Sequence, residues 1–553
     1  MKTMTGYPLP LGASVKDDVV NFSVAVESGK KCNLCIYKKE NEVPEYTIEL
    51  LEENAMGEVR YVAIPKEAIE NMEYNYEVNG EYMIDPYVKS VAEYSDFTRG
   101  RILLDEYDWE EDKPLGLPYH EIIAYNLHVR GFTMHKSSKV KNKGTFAGVI
   151  EKIPYLKDLG INQIQCMPVY AFEETLHYKN YWGYGDAYCF ALKNVYASDA
   201  NAEKEFKDMI KACHKNEIEV VLYLPFTDKV SKQLIEACLR YYVMEYHIDG
   251  FILNPYNAPM NSIMSDPILK KTKILEYKDD FQNNMRSFLI GNEGTVQGVM
   301  WWVKQITKDI GCCNYITNHT GFTLNDLVSY NEKHNEENGE NNFDGPNVNF
   351  SWNCGAEGTT RKKAILELRK KQMRNAMFLL IMSQGTPCIL AGDEFANSQN
   401  GNNNVYCQDN EIAWLDWKKL EKEEVFYDYV KTLIGLRKKY SVIGADKPLL
   451  GVDKTSCGVP DVSFHGENAW QIPNQMASKH LGVYYHHADG TDCFIAYNMH
   501  EEEQTFALPA LRRGKEWYRV LSTADAQIGE EELAVSQRET TLSGRTIEMY
   551  IGK

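Results

Sequence analysis

From about residue 120 to residue 440 the chain repeats one pattern: a short β-branched or aromatic run, then a longer stretch of helical character. The strand-like runs are 122–128, 163–167, 220–224, 250–253, 273–275, 315–318 and 388–392, and the segments 146–159, 203–216 and 229–246 read as helices between them. Strands joined through helices can lie side by side only as parallel neighbours, because a parallel pair needs a long crossover. Repeated this often, the pattern predicts a (β/α)8 TIM barrel. In such a barrel the residues that do chemistry sit at the C-terminal ends of the strands.

The two flanks follow a different rule. Before the barrel, Val19-Val20-Asn21-Phe22-Ser23-Val24, Cys32-Asn33-Leu34-Cys35-Ile36-Tyr37 and Tyr74-Asn75-Tyr76-Glu77-Val78 alternate polar and apolar positions. Asn79-Gly80 follows as a hairpin turn, since both residues tolerate positive φ. After the barrel, Leu481-Gly482-Val483-Tyr484-Tyr485 and Cys493-Phe494-Ile495-Ala496-Tyr497-Asn498 return to short runs between turns. The expected division is an N-terminal β-sandwich over 1–112, the barrel over 113–443, and a C-terminal antiparallel β-domain, a second sandwich, over 444–553.

Charge narrows the partners. A net charge of −19 argues against nucleic acid or an anionic membrane, both of which call for clustered basic residues. No apolar run is long enough to span a membrane. The opening residues lack the apolar core of a secretory signal, and the 13 cysteines show no repeated metal-ligand spacing. These point to a cytoplasmic protein with reduced thiols and without metal or cofactor. The 36 tyrosines suit a sugar cleft, whose rings pack on C–H faces, and equally suit cores and interfaces.

Several longer segments carry a resemblance. Tyr125-Asn126-Leu127-His128-Val129-Arg130-Gly131-Phe132-Thr133, Asn180-Tyr181-Trp182-Gly183-Tyr184, Asn318-His319-Thr320-Gly321-Phe322-Thr323-Leu324 and Leu390-Ala391-Gly392-Asp393-Glu394-Phe395 occur in this order along the barrel. Together with Tyr246-His247-Ile248-Asp249-Gly250-Phe251-Ile252-Leu253-Asn254, they resemble the α-amylase superfamily in its isoamylase/pullulanase-type glycogen-debranching branch. The N-terminal segment is similar to the glucan-binding-type sandwich that precedes the barrel there. It reads equally as a structural cap and as a sugar site.

That resemblance implies a retaining glycosidase, which needs two carboxyl groups roughly 5 to 5.5 Å apart as nucleophile and acid/base. The family adds a third carboxylate that holds substrate hydroxyls. Here the nucleophile position is Asn254, and the residue after His319, where the third Asp is expected, is Thr320. Lys273-Ile274-Leu275 runs straight into Glu276-Tyr277-Lys278-Asp279-Asp280-Phe281, a segment that resembles family sequence beyond the acid/base loop, so that loop reads as deleted. Ile252 stands at the position of the family's Arg, and Tyr223, Thr227 and Asp228 replace its third-strand Asp, Asn and His. Asp249, Asp393 and Glu394 recur in active relatives outside the triad and are expected to be structural.

Two readings stay open at this point. In the first, the chain is a non-catalytic α-glucan-binding or regulatory protein of glycogen or starch metabolism. It would bind sugar through Tyr181, Trp182, Tyr184, His319 and Asn254, or pair with an active debranching enzyme or with itself. In the second, it is an active α-glucan hydrolase or transglycosylase that uses a rearranged carboxylate pair, Asp228 with Glu276.

Overall fold

The computed structural model describes all residues except 105, 176–177, 200, 309, 474–475, 513, 526–532 and 535–537. The expected architecture is present: a parallel βα barrel of the (β/α)8 type between two antiparallel β-domains.

Among the described residues the parallel ladder runs through seven strands. In chain order they are Ala124–Leu127, Gln163–Cys166, Glu219–Leu224, Gly250–Leu253, Lys273–Leu275, Ile310–Gly311 and Cys388–Leu390. From the first to the sixth each strand pairs with the next, and the seventh pairs with the first. The ring closes between the sixth and seventh strands through a parallel bridge from Asn314 to Pro387. There Asn314 N donates to Thr386 O at 2.7 Å, and Cys388 N donates to Asn314 O at 2.7 Å. The fourth strand pairs directly with Lys273–Leu275, so only the helix Met260–Ser265 and a short 3-10 turn separate the Asn254 strand from the Glu276 strand.

Two segments depart from the sequence pattern for local reasons. The helical stretch 146–159 is two helices, Phe146–Glu151 and Ile153–Leu159. Pro154 lacks the N–H that would continue the first helix's ladder. The strand expected over 315–318 forms no ladder, because the carbonyl of Ile316 is taken by Arg286 Nε at 2.6 Å.

The N-terminal domain stacks two antiparallel sheets. One contains Gly12–Lys16, Val19–Ala25 and Val59–Pro65, and the other is built around Cys32–Lys38 and Met72–Val78. Phe22, Leu34, Ile36, Ile64, Tyr74 and Tyr76 are fully buried between them. The Asn79-Gly80 turn forms as expected, with φ of 51° and 85°, joining Met72–Val78 to Glu81–Met83. Among the described residues the C-terminal domain is a six-stranded antiparallel sheet with a two-stranded ribbon, Gln504–Ala507 and Glu539–Leu542. Phe494, Phe506, Trp517 and Tyr550 are buried together in its core.

The floor of the barrel is held by buried charge. Asp249, at the N-terminal side of the fourth strand, accepts from Leu115 N at 2.7 Å and Val220 N at 2.7 Å and meets His214 Nε2 at 2.9 Å. The other His214 nitrogen meets Asp112 at 3.0 Å. Burial alone would lower the proton affinity of His214, but the bond and charge of Asp249 and the charge of Asp112 raise it overall. Beside this group Lys273 Nζ donates to Glu219 at 2.5 Å. Asp249 is therefore tied into the end of the barrel away from the strand C-termini.

Candidate functional site

The C-terminal rim of the ring is where the fold places reactive residues. Its centre here is filled by aromatic side chains. Tyr223 comes from the third strand, Tyr277 follows the fifth, His319 follows the sixth, and Trp182 and Tyr184 come from the loop after the second. Trp182 meets His319 edge-on at 5.2 Å, and Tyr223 lies 5.4 Å from His319. Tyr277 lies 5.4 Å from His319 and 5.1 Å from Tyr223, and Tyr184 lies 5.9 Å from Tyr223. Such tilted and edge-to-face pairs suit ring quadrupoles and add about 0.5–1.5 kcal/mol each beyond the buried area.

Polar tips are tied into the same cluster. Tyr184 Oη and His319 Nε2 share a hydrogen bond of 2.6 Å. Asn126 Nδ2 donates to the Tyr277 hydroxyl at 3.1 Å. Burial, with a smaller contribution from the His128 charge, pushes the pKa of His319 down to about 3, so its ring is neutral at physiological pH. Its Nδ1 is buried without a hydrogen-bond partner.

Asn254 is exposed just past the fourth strand, and its Oδ1 accepts from Tyr256 N at 3.0 Å. Asn257, in the same turn, donates to Phe226 O at 2.7 Å and ties the loop to the end of the third strand. Thr320 is exposed, and its hydroxyl donates to Asn318 Oδ1 at 2.9 Å. Asp228 is exposed beyond the third strand. Glu276 ends the fifth strand and is ion-paired with Lys278. A solvent-open cleft of about 430 Å³ brings together Tyr184, Tyr223, Thr227, Asp228, Asn254 and Asn257, and Glu276 does not line it.

Sugar stacking was expected of Tyr181, Trp182 and Tyr184, with a donor from His319. Tyr181 and Trp182 are only 5 % and 4 % exposed. The Tyr181 ring stacks on His128 at 4.0 Å, and Trp182 is covered by Tyr184, His319 and Tyr406. His319 is buried as well. The physical reason is the packing of the rim: these rings meet one another where a substrate ring would have to enter. Of the expected binding residues, Tyr184 and Asn254 reach the open cleft.

Tyr277 was not singled out from the sequence. Its signal was the shortened connection between the fourth and fifth strands, which brings the residue after Glu276 into the ring centre. Asp393 and Glu394 are buried and fully engaged. Asp393 accepts from Leu324 N at 2.8 Å and from the Thr317 hydroxyl, while Glu394 accepts from the Tyr125 and Tyr155 hydroxyls. Burial pushes both carboxyls up to about 7. Among the described residues no cluster of His, Cys, Asp and Glu is arranged to hold a metal ion.

A parallel βα barrel with a cleft at its strand ends, preceded by a β-sandwich and followed by an antiparallel sheet, defines the class as a three-part TIM-barrel protein. Residues 132–231 match the family described as alpha amylase, catalytic domain, and residues 464–552 match isoamylase, C-terminal. Isoamylase 1, chloroplastic, of Arabidopsis thaliana is 29% identical over 94% of this chain and 85% of its own length. The glycogen operon protein GlgX homolog of Mycobacterium tuberculosis is 27% identical over 97% and 95%. Among solved structures, the Group B Streptococcus pullulanase SAP in complex with maltotetraose superposes with a TM-score of 0.76 at 18% identity, covering 99% of this chain and 88% of that one. The chain thus carries segments that match the alpha amylase catalytic and isoamylase C-terminal families, and it is similar over most of its length to isoamylase and GlgX-type proteins. No helix among the described residues is long and apolar enough to cross a membrane.

Proposed function

We propose that this protein acts in α-glucan (glycogen or starch) metabolism without cleaving its glucan, as a binding or regulatory member of the debranching family. The observation that carries the reading is the occupied barrel mouth. Trp182, Tyr184, Tyr223, Tyr277 and His319 fill the place where a retaining glycosidase holds its carboxyl pair around the scissile bond. Asn254 and Thr320, at the positions where the resemblance calls for carboxylates, carry no charge. A carboxamide neither attacks an anomeric carbon nor stabilises the oxocarbenium-like transition state as a carboxylate does.

The rearranged pair finds little support. Asp228 faces the open cleft, whereas Glu276 is paired with Lys278 outside it. The neighbouring family members suggest the ligand: a pullulanase of the same fold is described in complex with maltotetraose. Tyr184 and Asn254 offer such a chain a ring edge and an amide at the cleft wall.

The test combines reducing-sugar release from glycogen, amylopectin and pullulan with affinity electrophoresis in the same glucans. Retarded migration without sugar release is the expected result. Release that disappears in Glu276→Gln or Asp228→Asn overturns the reading and establishes a new catalytic pair. Neither release nor retardation removes the glucan from the proposal and leaves a protein partner as the object of search.

A further inference from the structure

A cavity of about 980 Å³, more than twice the volume of the cleft at the barrel mouth, lies between the N-terminal sandwich and the barrel helix Ala202–Lys215. The sandwich contributes Lys89 and Arg101 to its wall. Neither cationic head group forms an ion pair or a hydrogen bond among the described residues. This differs from the other cations along the same wall. Lys204 pairs with Asp208 at 2.6 Å, Lys207 with Glu245, and Lys211 with Glu110 at 3.2 Å.

The barrel side contributes the opposite need. Glu203 is 7 % exposed, yet its Oε1 has no hydrogen-bond partner. A buried carboxylate oxygen without a donor is destabilising, and burial accordingly raises the proton affinity of Glu203 despite Ser90 and the charges of Arg101 and Lys207. The helix itself begins at the cavity. Asn201 caps it by accepting from Lys204 N at 2.9 Å, and the positive end of the helix dipole faces the same space.

We propose that this cavity binds a small phosphorylated sugar, its phosphate between Lys89 and Arg101 at the helix start and a ring hydroxyl donating to Glu203 Oε1. Each half of the ligand answers one half of the wall. A neutral sugar would offer no hydrogen-bonding anion to Lys89 and Arg101, which feel Glu245, Asp85 and Glu203 only through space, and a bare phosphate would bring a second anion toward Glu203 without a donor for it. Asn71 lines the same space with a neutral polar group for a further hydroxyl. The site draws its cations from one domain and its carboxylate from the other, so occupancy tightens the docking of sandwich on barrel.

Isothermal titration of the full chain with glucose 6-phosphate, inorganic phosphate and glucose, each alone, tests this without any glucan present and independently of the reading at the barrel mouth. The expected result is saturable binding of the sugar phosphate, at least tenfold weaker binding of phosphate, and none of glucose. Lys89→Gln and Arg101→Gln should each weaken the sugar phosphate tenfold or more. Glu203→Gln should weaken it more than it weakens phosphate. No saturable binding, equal binding of phosphate and sugar phosphate, or binding unchanged in Lys89→Gln and Arg101→Gln overturns the proposal. If Arg101→Gln melts early, Lys89→Gln decides, because the Lys89 side chain is partly exposed and forms no ion pair or hydrogen bond among the described residues, only a longer contact with the Tyr241 ring.

Discussion

The Tyr184 hydroxyl and His319 Nε2 meet at 2.6 Å across the centre of the barrel mouth, joining the loop after the second strand to the segment after the sixth. One hydrogen bond and a ring of aromatic contacts thus tie separate strand ends into one packed rim.

Opening that contact should cost stability in proportion to what it leaves unpaired. In Tyr184→Phe, His319 Nε2 loses its partner and joins the already unpaired Nδ1 in a buried setting, and the expected loss is about 1–3 kcal/mol. Trp182→Ala removes a far larger side chain from the same cluster, with an expected loss of about 3–5 kcal/mol. Urea denaturation followed by near-ultraviolet circular dichroism measures both. Losses below about 0.5 kcal/mol in the two variants would mean that the cluster is not a packed unit.

Restoring charge at the rim should not restore cleavage. Asn254→Asp combined with Thr320→Asp supplies two carboxylates, but leaves general acid/base assistance, typically worth about 10² to 10⁴ in rate, to Asp228 in the solvent-open cleft or to Glu276 paired with Lys278. The expected outcome is no reducing-sugar release from glycogen above the enzyme-free blank. Release by the double variant would mean that a carboxyl group near the rim, Glu276 foremost, serves as the acid.

Glu394 makes stability depend on pH in a defined direction. Burial raises its folded-state pKa to about 7, above its value in the unfolded chain. The folded protein therefore holds a proton that the unfolded chain releases first. This contribution is complete below the unfolded pKa of about 4 and is lost as pH rises through about 7. In Glu394→Gln the pH-dependent part disappears, so the stability of the variant relative to the parent should rise between pH 5 and pH 7.5. Denaturation curves at the two pH values check it, and a constant difference would refute the assignment.

At the other end of the barrel, Asp249 anchors His214 and the backbone of Leu115 and Val220. Asp249→Asn leaves a buried imidazole between fewer counter-charges, and breaking a buried pair of this kind costs roughly 3–5 kcal/mol. Glucan retardation in affinity electrophoresis should stay at the parental level at temperatures where the variant is folded. A selective loss of glucan binding with unchanged stability would move Asp249 from the floor of the barrel to its site.

Sequence pattern alone determined the three-part architecture. Strand–helix alternation and strict two-residue alternation depend on local chain geometry, and the Asn79-Gly80 hairpin follows from φ preferences of single residues. The same local reading singled out Asn254 and Thr320 as uncharged residues at strand ends, because residue type is visible one letter at a time. What fills the barrel mouth was decided only in three dimensions. Trp182, Tyr223, Tyr277 and His319 lie on different strands and loops, and nothing in their spacing says that their rings meet. The direct pairing of the fourth strand with Lys273–Leu275, and the closure of the ring through Asn314 and Pro387, belong to the same category. Burial and neighbour identity are long-range quantities. They turned Tyr181, Trp182 and His319 from expected sugar contacts into the packed centre of the rim, and left the cavity at Lys89, Arg101 and Glu203 to be found where two domains meet.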